Sequence, residues 1–167
     1  ADWAVHIALW ERKDADGKPS DDGSITQAAV ALPAYNMTLS THQLPKTPDR
    51  HEGKPRLVVS RNRATREAVI VAEALDCDVA RLGSAGAKAM AVVLGEVDIY
   101  VHAGGMYQWD SAAPIAVAAA AGLFTSRIDG TPLIYNRRDA WLPDLVVCQQ
   151  HLAQQVIDAL RAGRLGA

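Results

Sequence analysis

One acidic side chain, Asp110, stands at the predicted start of a helix in residues 109–114 (WDSAAP), and this helix of small residues ends at Gly122. A carboxylate in the first turn of a helix lies at the positive end of the helix dipole and near unpaired backbone N–H groups, which favour its ionised form. An ionised carboxylate oxygen suits a hard cation. The alternative is a plain helix cap, which is the more common role of Asp at such a position.

A second helix start, in residues 83–88 (GSAGAK), carries the residue types of an anion site. Gly83 permits a tight turn between a strand and a helix, Ser84 supplies a capping hydroxyl, and Lys88 adds an ammonium group one turn later. Backbone N–H groups at a helix N-terminus bind phosphate, and the lysine would strengthen that site. The alternative is a structural serine cap followed by a solvated lysine.

The composition describes one globular unit without a strong charge. The chain has 167 residues, of which 49% are hydrophobic, and a formal net charge of −2. This small charge gives no reason to expect binding to nucleic acid or to a membrane surface, so an anion site would have to be local. Neither a membrane span nor a signal peptide is visible, which favours a cytoplasmic protein. Cys77 and Cys148 are too few for a disulfide framework and are predicted to be core thiols of a reducing compartment.

The first third of the chain predicts a small antiparallel sheet. Residues 3–10 have the composition of a buried strand, and residues 14–23 are rich in turn residues. Two more strands are predicted at residues 25–32 and 36–41, and the three prolines within residues 45–55 indicate an exposed loop. We therefore expect a β-rich region over residues 1–56.

From residue 57 onward, strands and helices alternate, which predicts an α/β region over residues 57–167. The predicted strands are residues 57–59, 78–82, 97–101 and 145–148. The predicted helices are residues 64–75, 84–95 and 111–121, followed by a closing helix with Leu152, Val156 and Leu160 inward. Residues 123–135 are predicted to form a hairpin that turns at Asp129-Gly130.

These motifs resemble the inositol monophosphatase superfamily over essentially the whole chain. The elements that carry the resemblance occur in the family's order: Ser60-Arg61, Gly83-Ser84-Ala85, Lys88, Trp109-Asp110-x-Ala-Ala-Pro and Ala120-Ala121-Gly122. Residues 83–90, 100–105 (YVHAGG) and 108–110 (QWD) are most similar to the CysQ-type branch of 3′(2′),5′-bisphosphate nucleotidases.

The resemblance implies an α/β fold of alternating layers of helices and sheets, incomplete here on its amino-terminal side. It implies a Mg²⁺-dependent phosphatase with two or three ions in the intact protein, inhibited by Li⁺. The substrate class implied is a small nucleotide bisphosphate, with removal of the 3′-phosphate of 3′-phosphoadenosine 5′-phosphate as the reaction. A phosphatase of inositol 1-phosphate or of sugars, and a non-catalytic module of the same fold, stay open. A homodimer is implied as well.

The resemblance also implies roles for individual residues. Asp110 would be a metal ligand of the site. The residues that would line or face the substrate are Gly83, Ser84, Ala85, Lys88, His102, Ser60 and Arg61. Lys88 favours the nucleotidases, because plain inositol phosphatases tend to have a neutral residue there.

The sequence departs from the family at the first metal motifs. A Gly-Glu-Glu segment and an Asp-Pro-x-Asp-Gly-Thr segment are absent, and we expect both to precede Ala1, so that the isolated chain would be inactive. Asp129-Gly130-Thr131 follows Ile128 and lies after Asp110, so it is interpreted as a turn rather than as the metal motif. If residues 3–10 form an unpaired strand edge, the chain is expected to associate or aggregate.

Overall fold

A computed structural model describes residues 2–13, 16–45 and 52–165, with only the backbone described at residues 20–22 and 165. The strands are β1 (Val5–Lys13), β2 (Pro19–Leu32), β3 (Met37–Ser40), β4 (Arg56–Ser60), β5 (Asp78–Leu82), β6 (Ile99–Tyr107), β7 (Phe124–Ser126) and β8 (Trp141–Cys148). The helices are α1 (Arg66–Ala74), α2 (Ala85–Val93), α3 (Gln108–Ala120) and α4 (Ala153–Leu165).

The first sheet has the order β1-β2-β3 and is antiparallel, which confirms the predicted pairing. The prediction that the first strand is buried is wrong. Val5, Ile7 and Leu9 alternate along β1 and are 46%, 69% and 48% exposed, because alternate side chains of an edge strand point to the uncovered face of the sheet. Strand β2 begins at Pro19, so the predicted turn of residues 14–23 is shorter than expected.

The second sheet has the order β5-β4-β6-β8-β7. Strand β4 lies between β5 and β6 and is parallel to both, whereas β8 is antiparallel to β6 and β7. The chain leaves β4 through α1 to reach β5 on one side, then passes through α2 to reach β6 on the other. Such a reversal of strand order creates a crevice at the carboxyl end of the central strand, where ligands of open α/β sheets bind.

The helices sandwich the second sheet, because successive residues of its strands face opposite ways. Val58 packs with Met90 of α2 and Val117 of α3, in a core that also takes in β2 through Val30. Its neighbour Leu57 packs with the buried residues of α1 and α4. The layers are therefore the first sheet, α2 with α3, the second sheet, and α1 with α4. The division of the chain at residue 56 stays a prediction.

The closing helix is confirmed as α4, with Val156 and Leu160 buried, whereas the predicted Leu152 is buried but lies in a 3₁₀ turn (Gln150–Leu152) before α4. Both cysteines are free thiols: Cys148 is buried, and Cys77 is half-buried rather than fully in the core. Burial raises the pKa of Cys77 to about 11 and that of Cys148 to about 12, which leaves both thiols unreactive near neutral pH. None of the described helices is long and apolar enough to cross a membrane.

Two local predictions are wrong. Helix α3 begins at Gln108 instead of Ser111, so Pro114 lies inside the helix. The predicted hairpin is absent among the described residues, because β7 pairs with β8, with Thr125 opposite Val147. Asp129-Gly130 does make a local turn, in which Thr131 N–H donates to Asp129 Oδ1 at 2.9 Å. Most of the predicted loop of residues 45–55 lies outside the described residues.

A buried ion pair joins the amino ends of β4 and β6. Asp98 is 5% exposed; it accepts bonds from Arg56 Nε at 3.0 Å and Nη2 at 2.9 Å, and from the Arg56 backbone N–H at 2.8 Å. Removal of the carboxylate in Asp98→Ala would leave the guanidinium without this partner and is expected to lower the free energy of unfolding by about 3 kcal/mol.

Urea denaturation of the purified chain measures this loss. The control is Asp158→Ala, because the Asp158–Arg161 pair on α4 is exposed and spans 3.9 Å, and such a pair contributes at most about 1 kcal/mol. Equal losses in the two variants would contradict a special role of Asp98.

Candidate functional site

A cleft of about 780 Å³ lies at the carboxyl edge of the second sheet. Arg61 follows β4, Gly83, Ser84 and Ala85 follow β5, and Asp110 projects from α3, and all five residues line this cleft. The structure thus brings together five of the eight residues that the sequence predicted for the site. Residues 2–6, at the start of the described chain, and Trp109 form the remaining wall.

Strand register explains why Arg61 and Gly83 are neighbours. Ser60 pairs with Leu82 at the ends of β4 and β5, so the next residues of both strands enter the cleft side by side. The Arg61 backbone N–H donates to the Leu82 carbonyl at 3.0 Å, which holds the two chain segments together beyond the sheet.

Ser84 is the N-cap of α2, as predicted. Its Oγ accepts a hydrogen bond from the Ala87 N–H at 3.3 Å, and its φ of 51° is rare for a residue with a side chain. Such strained backbone is kept where the surrounding structure fixes it, and it is found frequently at functional sites. Here it turns the chain sharply enough for α2 to begin at the cleft.

Asp110 lies in the first turn of α3, where one carboxylate oxygen caps the helix. Its Oδ2 accepts a hydrogen bond from the Tyr107 N–H at 3.0 Å. The residue is half-buried and lines the cleft, so the cap does not withdraw the carboxylate from the open space. The capping role and the ligand role, which were alternatives in the sequence, are therefore compatible in the structure.

Asp2 is a second carboxylate in the cleft, and sequence reasoning missed it. Its side chain is 17% exposed and forms an ion pair with Arg61. Its Oδ2 also accepts a hydrogen bond from the Gly83 N–H at 2.7 Å. The pKa of Asp2 lies below its usual value, mainly because the carboxylate accepts the hydrogen bond from the Gly83 N–H. The positive charge of Arg61 contributes as well. An acid that precedes a strand by three residues has no sequence signal, because its partners lie 59 and 81 residues away.

Lys88 lies on α2 and is buried, with 5% exposure. Its Nζ donates to the Ser84 carbonyl at 3.0 Å and lies 5.2 Å from the centre of the Tyr100 ring. Burial lowers the pKa of Lys88 to about 8, and the Asp2 charge opposes that change. No carboxylate of the described residues lies within ion-pair distance of this ammonium group, so a negative ligand nearby would stabilise it.

Ser60 and His102 lie in a separate cavity of about 430 Å³, which opens between β4 and β6 on the α1 side. The ring Nε2 of His102 lies 3.0 Å from the Gly105 carbonyl. Tyr100 also lines this cavity, and Lys88 Nζ lies over its ring. Its buried hydroxyl has no hydrogen-bond partner among the described residues. The predicted site residues are therefore divided: five line the cleft, Ser60 and His102 line this cavity on the other side of the end of β4, and Lys88 lines neither.

The donor set does not form a metal centre by itself. Among the residues that the structure describes, no group of three or more His, Cys, Asp or Glu side chains could hold a metal ion. Asp110 offers a carboxylate to the cleft, and Asp2 is engaged with Arg61 and Gly83. Mg²⁺ demands near-octahedral oxygen coordination, so these residues do not fit a two- or three-ion site without further ligands.

His6 joins the first sheet to this site. Its Nδ1 lies 3.3 Å from the Trp109 carbonyl, and its ring lies against Gly86, where an added Cβ would be 2.1 Å from Nε2. Gly86→Ala is therefore expected to push β1 away from α2 and to lower the free energy of unfolding by about 1–3 kcal/mol.

Thermal and urea unfolding measure the effect, with the His6→Ala variant as the matched background. Because the clash needs both side chains, Gly86→Ala should cost much less in that background. An equal cost in both backgrounds would show that the contact with His6 is not the reason for glycine at this position.

Comparison with known proteins places this geometry in a family. Residues 21–164 match the inositol monophosphatase family. The chain is 46% identical over 162 residues to a curated Mycobacterium bovis protein named 3′-phosphoadenosine 5′-phosphate phosphatase, covering 95% of this chain and 59% of that protein. The chain thus spans about three fifths of the length of this relative.

Solved structures of low sequence identity share the fold. Staphylococcal IMPase-II aligns with a TM-score of 0.71 at 17% identity, over 95% of this chain and 61% of the other. CysQ from Bacteroides thetaiotaomicron aligns with a TM-score of 0.68 at 19% identity, over 88% of this chain and 62% of the other. Family members generally depend on Mg²⁺. On the match to residues 21–164, this chain belongs to the inositol monophosphatase family.

Proposed function

We propose that this chain belongs to a Mg²⁺-dependent phosphatase that removes the 3′-phosphate of 3′-phosphoadenosine 5′-phosphate. The curated relative with 46% identity carries this activity in its name, and the match covers 95% of the chain. The observation that carries the proposal is the shared cleft, in which Asp110 of α3 faces the same space as Gly83, Ser84 and Ala85 at the start of α2. A cation and a phosphate ester could meet between these two helix ends.

The proposed roles follow the positions of the side chains. Asp110 contributes one metal ligand, and the residues after Gly83 line the substrate with Arg61 beside them. The Lys88 ammonium group donates a hydrogen bond to the Ser84 carbonyl, so it places a positive charge next to the loop that lines the substrate. Ser60 and His102 would face the part of the substrate that extends past the end of β4, since they line the neighbouring cavity.

The proposal assigns the remaining metal ligands to residues outside the described chain. Among the described residues the acidic groups are too few and too dispersed for a complete Mg²⁺ site, and the relatives are longer than this chain. The isolated chain is therefore expected to be inactive or nearly so.

A cytoplasmic location and a homodimer belong to the same proposal, and the two free cysteines support a reducing compartment.

A phosphatase of inositol 1-phosphate is the second candidate, because solved inositol monophosphatases share this fold. The observation that favours a nucleotide is Lys88: a buried ammonium without an ion-pair partner among the described residues gains most from a ligand with many negative charges. A non-catalytic module of the same fold would not need this cation.

Substitution of Asp110 tests the proposal. In a protein extended to the length of its relatives, Asp110→Asn is expected to lower the rate of phosphate release from 3′-phosphoadenosine 5′-phosphate by about 100-fold or more, since a neutral amide binds Mg²⁺ weakly. A colorimetric phosphate assay with and without Mg²⁺ measures the rate.

Asp129→Asn is the matched control, because Asp129 lies in an Asp-Gly-Thr turn that does not line the cleft. Full activity in Asp110→Asn would refute the proposed metal role. Faster turnover of inositol 1-phosphate than of the nucleotide in the unsubstituted protein would favour the second candidate.

Lys88 gives the binding of substrate a pH dependence. Because its pKa is about 8 in the ligand-free chain, the ammonium group is mostly charged at pH 7 and mostly neutral at pH 9. Affinity for 3′-phosphoadenosine 5′-phosphate is therefore expected to fall over this interval by roughly tenfold, because the positive charge next to the loop that lines the substrate is lost.

Isothermal titration calorimetry of the purified chain at pH 7, 8 and 9 measures this fall. Lys88→Gln should bind weakly at all three values, whereas Lys54→Gln, which alters an exposed lysine paired with Asp76, should keep the pH dependence. A flat profile in the unsubstituted chain would contradict a role of Lys88 in binding the anion.

A further inference from the structure

Asp2 occupies two donors at the wall of the cleft, the Gly83 N–H and the Arg61 guanidinium. One carboxylate oxygen accepts from the Gly83 N–H at 2.7 Å, and the same carboxylate forms an ion pair with Arg61 Nη2. A carboxylate held by a backbone amide and a guanidinium uses the chemistry by which proteins bind phosphate oxygens. The contact therefore identifies Gly83 and Arg61 as a real anion-binding pair and raises the question of what Asp2 does there.

The position of Asp2 is fixed by the residues that follow it. Ala4 packs against the core beside α2, and the His6 ring lies against Gly86. Val5 begins β1 and pairs with Ala31 of β2. These contacts hold the start of the described chain across the mouth of α2, so the Asp2 carboxylate is brought to the cleft by the fold rather than by a free end.

The Arg61 guanidinium is in contact with this carboxylate. Its side chain is 60% exposed, and Asp2 is the side-chain partner that the structure gives it among the described residues. An exposed arginine without a partner loses rotamer entropy when it binds a ligand. The ion pair uses Nη2, and Arg61 lines the cleft.

We propose that Asp2 is a positioning residue: its carboxylate is held by the Gly83 N–H and orients the Arg61 guanidinium before the substrate phosphate arrives. This inference rests on the proposed function, because it takes the phosphate of the substrate as the ligand of Arg61. Asp2 itself need not touch the substrate. The Arg61 side of the ion pair is 60% exposed, and Asp2→Asn keeps an oxygen that accepts from the Gly83 N–H, so this replacement should change binding more than folding.

The test compares Asp2→Asn with Glu96→Gln in the purified chain. Both variants lose one negative charge, and Glu96 is an exposed residue after α2 that does not line the cleft. Affinity for 3′-phosphoadenosine 5′-phosphate, measured by calorimetry at low salt, is expected to fall about tenfold in Asp2→Asn and to stay unchanged in Glu96→Gln. Asp2→Glu should restore part of the loss, because it keeps the charge.

A positioning role requires that the effect pass through Arg61. In an Arg61→Ala background, Asp2→Asn should therefore change the affinity less than twofold. NMR of the ligand-free chain gives an independent readout, in which the Arg61 Nε–Hε signal and the Gly83 amide signal should both shift in Asp2→Asn. Melting temperatures of all variants report whether they are folded.

Several outcomes would overturn the inference. Tighter binding in Asp2→Asn would show that the carboxylate competes with the substrate instead of preparing its site. Unchanged NMR signals of Arg61 and Gly83 would show that Asp2 does not orient Arg61. Absence of binding to the unsubstituted chain would overturn the inference even with the NMR shifts present, because Arg61 would then have no anion to meet in this cleft. The proposed function is tested separately, by Asp110→Asn in the protein extended to the length of its relatives.

Discussion

The parallel pairing of β4 with β5 is the constraint on which the site depends. Ser60 and Leu82 end their strands opposite each other, so the loops that follow are forced to start at the same height of the sheet. Arg61 and the turn at Gly83 then become neighbours although 21 intervening residues separate them along the chain. On the other side of β4, the same strand end opens the cavity that holds Ser60 and His102. Residues at the end of β4 thus line both the cleft, through Arg61, and the neighbouring cavity, through Ser60.

Burial of Lys88 is the main electrostatic cost of this arrangement. Transfer of an ammonium group into the space between α2 and β6 favours its neutral form, and the low pKa expresses that penalty. The Tyr100 ring and the Ser84 carbonyl compensate in part, since one offers a cation–π contact and the other a hydrogen bond. A buried cation with so few partners is retained more readily where a ligand completes its charge balance, which is the physical argument for an anion at this cleft.

Local patterns predicted much of the fold. The strand of residues 78–82 has the predicted bounds, the N-cap at Ser84 is found, and the closing helix buries two of its three predicted residues. These features depend on neighbours in the chain. The failures depend on distant partners: β7 joins β8 across the sheet instead of forming a hairpin, and β1 is exposed because β2 covers one of its edges and nothing described covers its outer face. Periodicity cannot distinguish a buried strand from an apolar edge strand.

In the site, too, the sequence predicted the local features and missed those that depend on distant partners. Motifs located Asp110 and the loop after Gly83 because each combines a helix start with a recognisable spacing, and a helix start is a local feature. Asp2 has no such spacing, and its identity as a cleft residue comes only from the fold that brings β1 against α2 through His6 and Gly86. Motifs also grouped Ser60 with Arg61, but Ser60 is the last residue of β4 and Arg61 already belongs to the loop that follows. The end of β4 therefore divides the pair between two cavities, and a ligand that contacts both residues has to extend around that strand end.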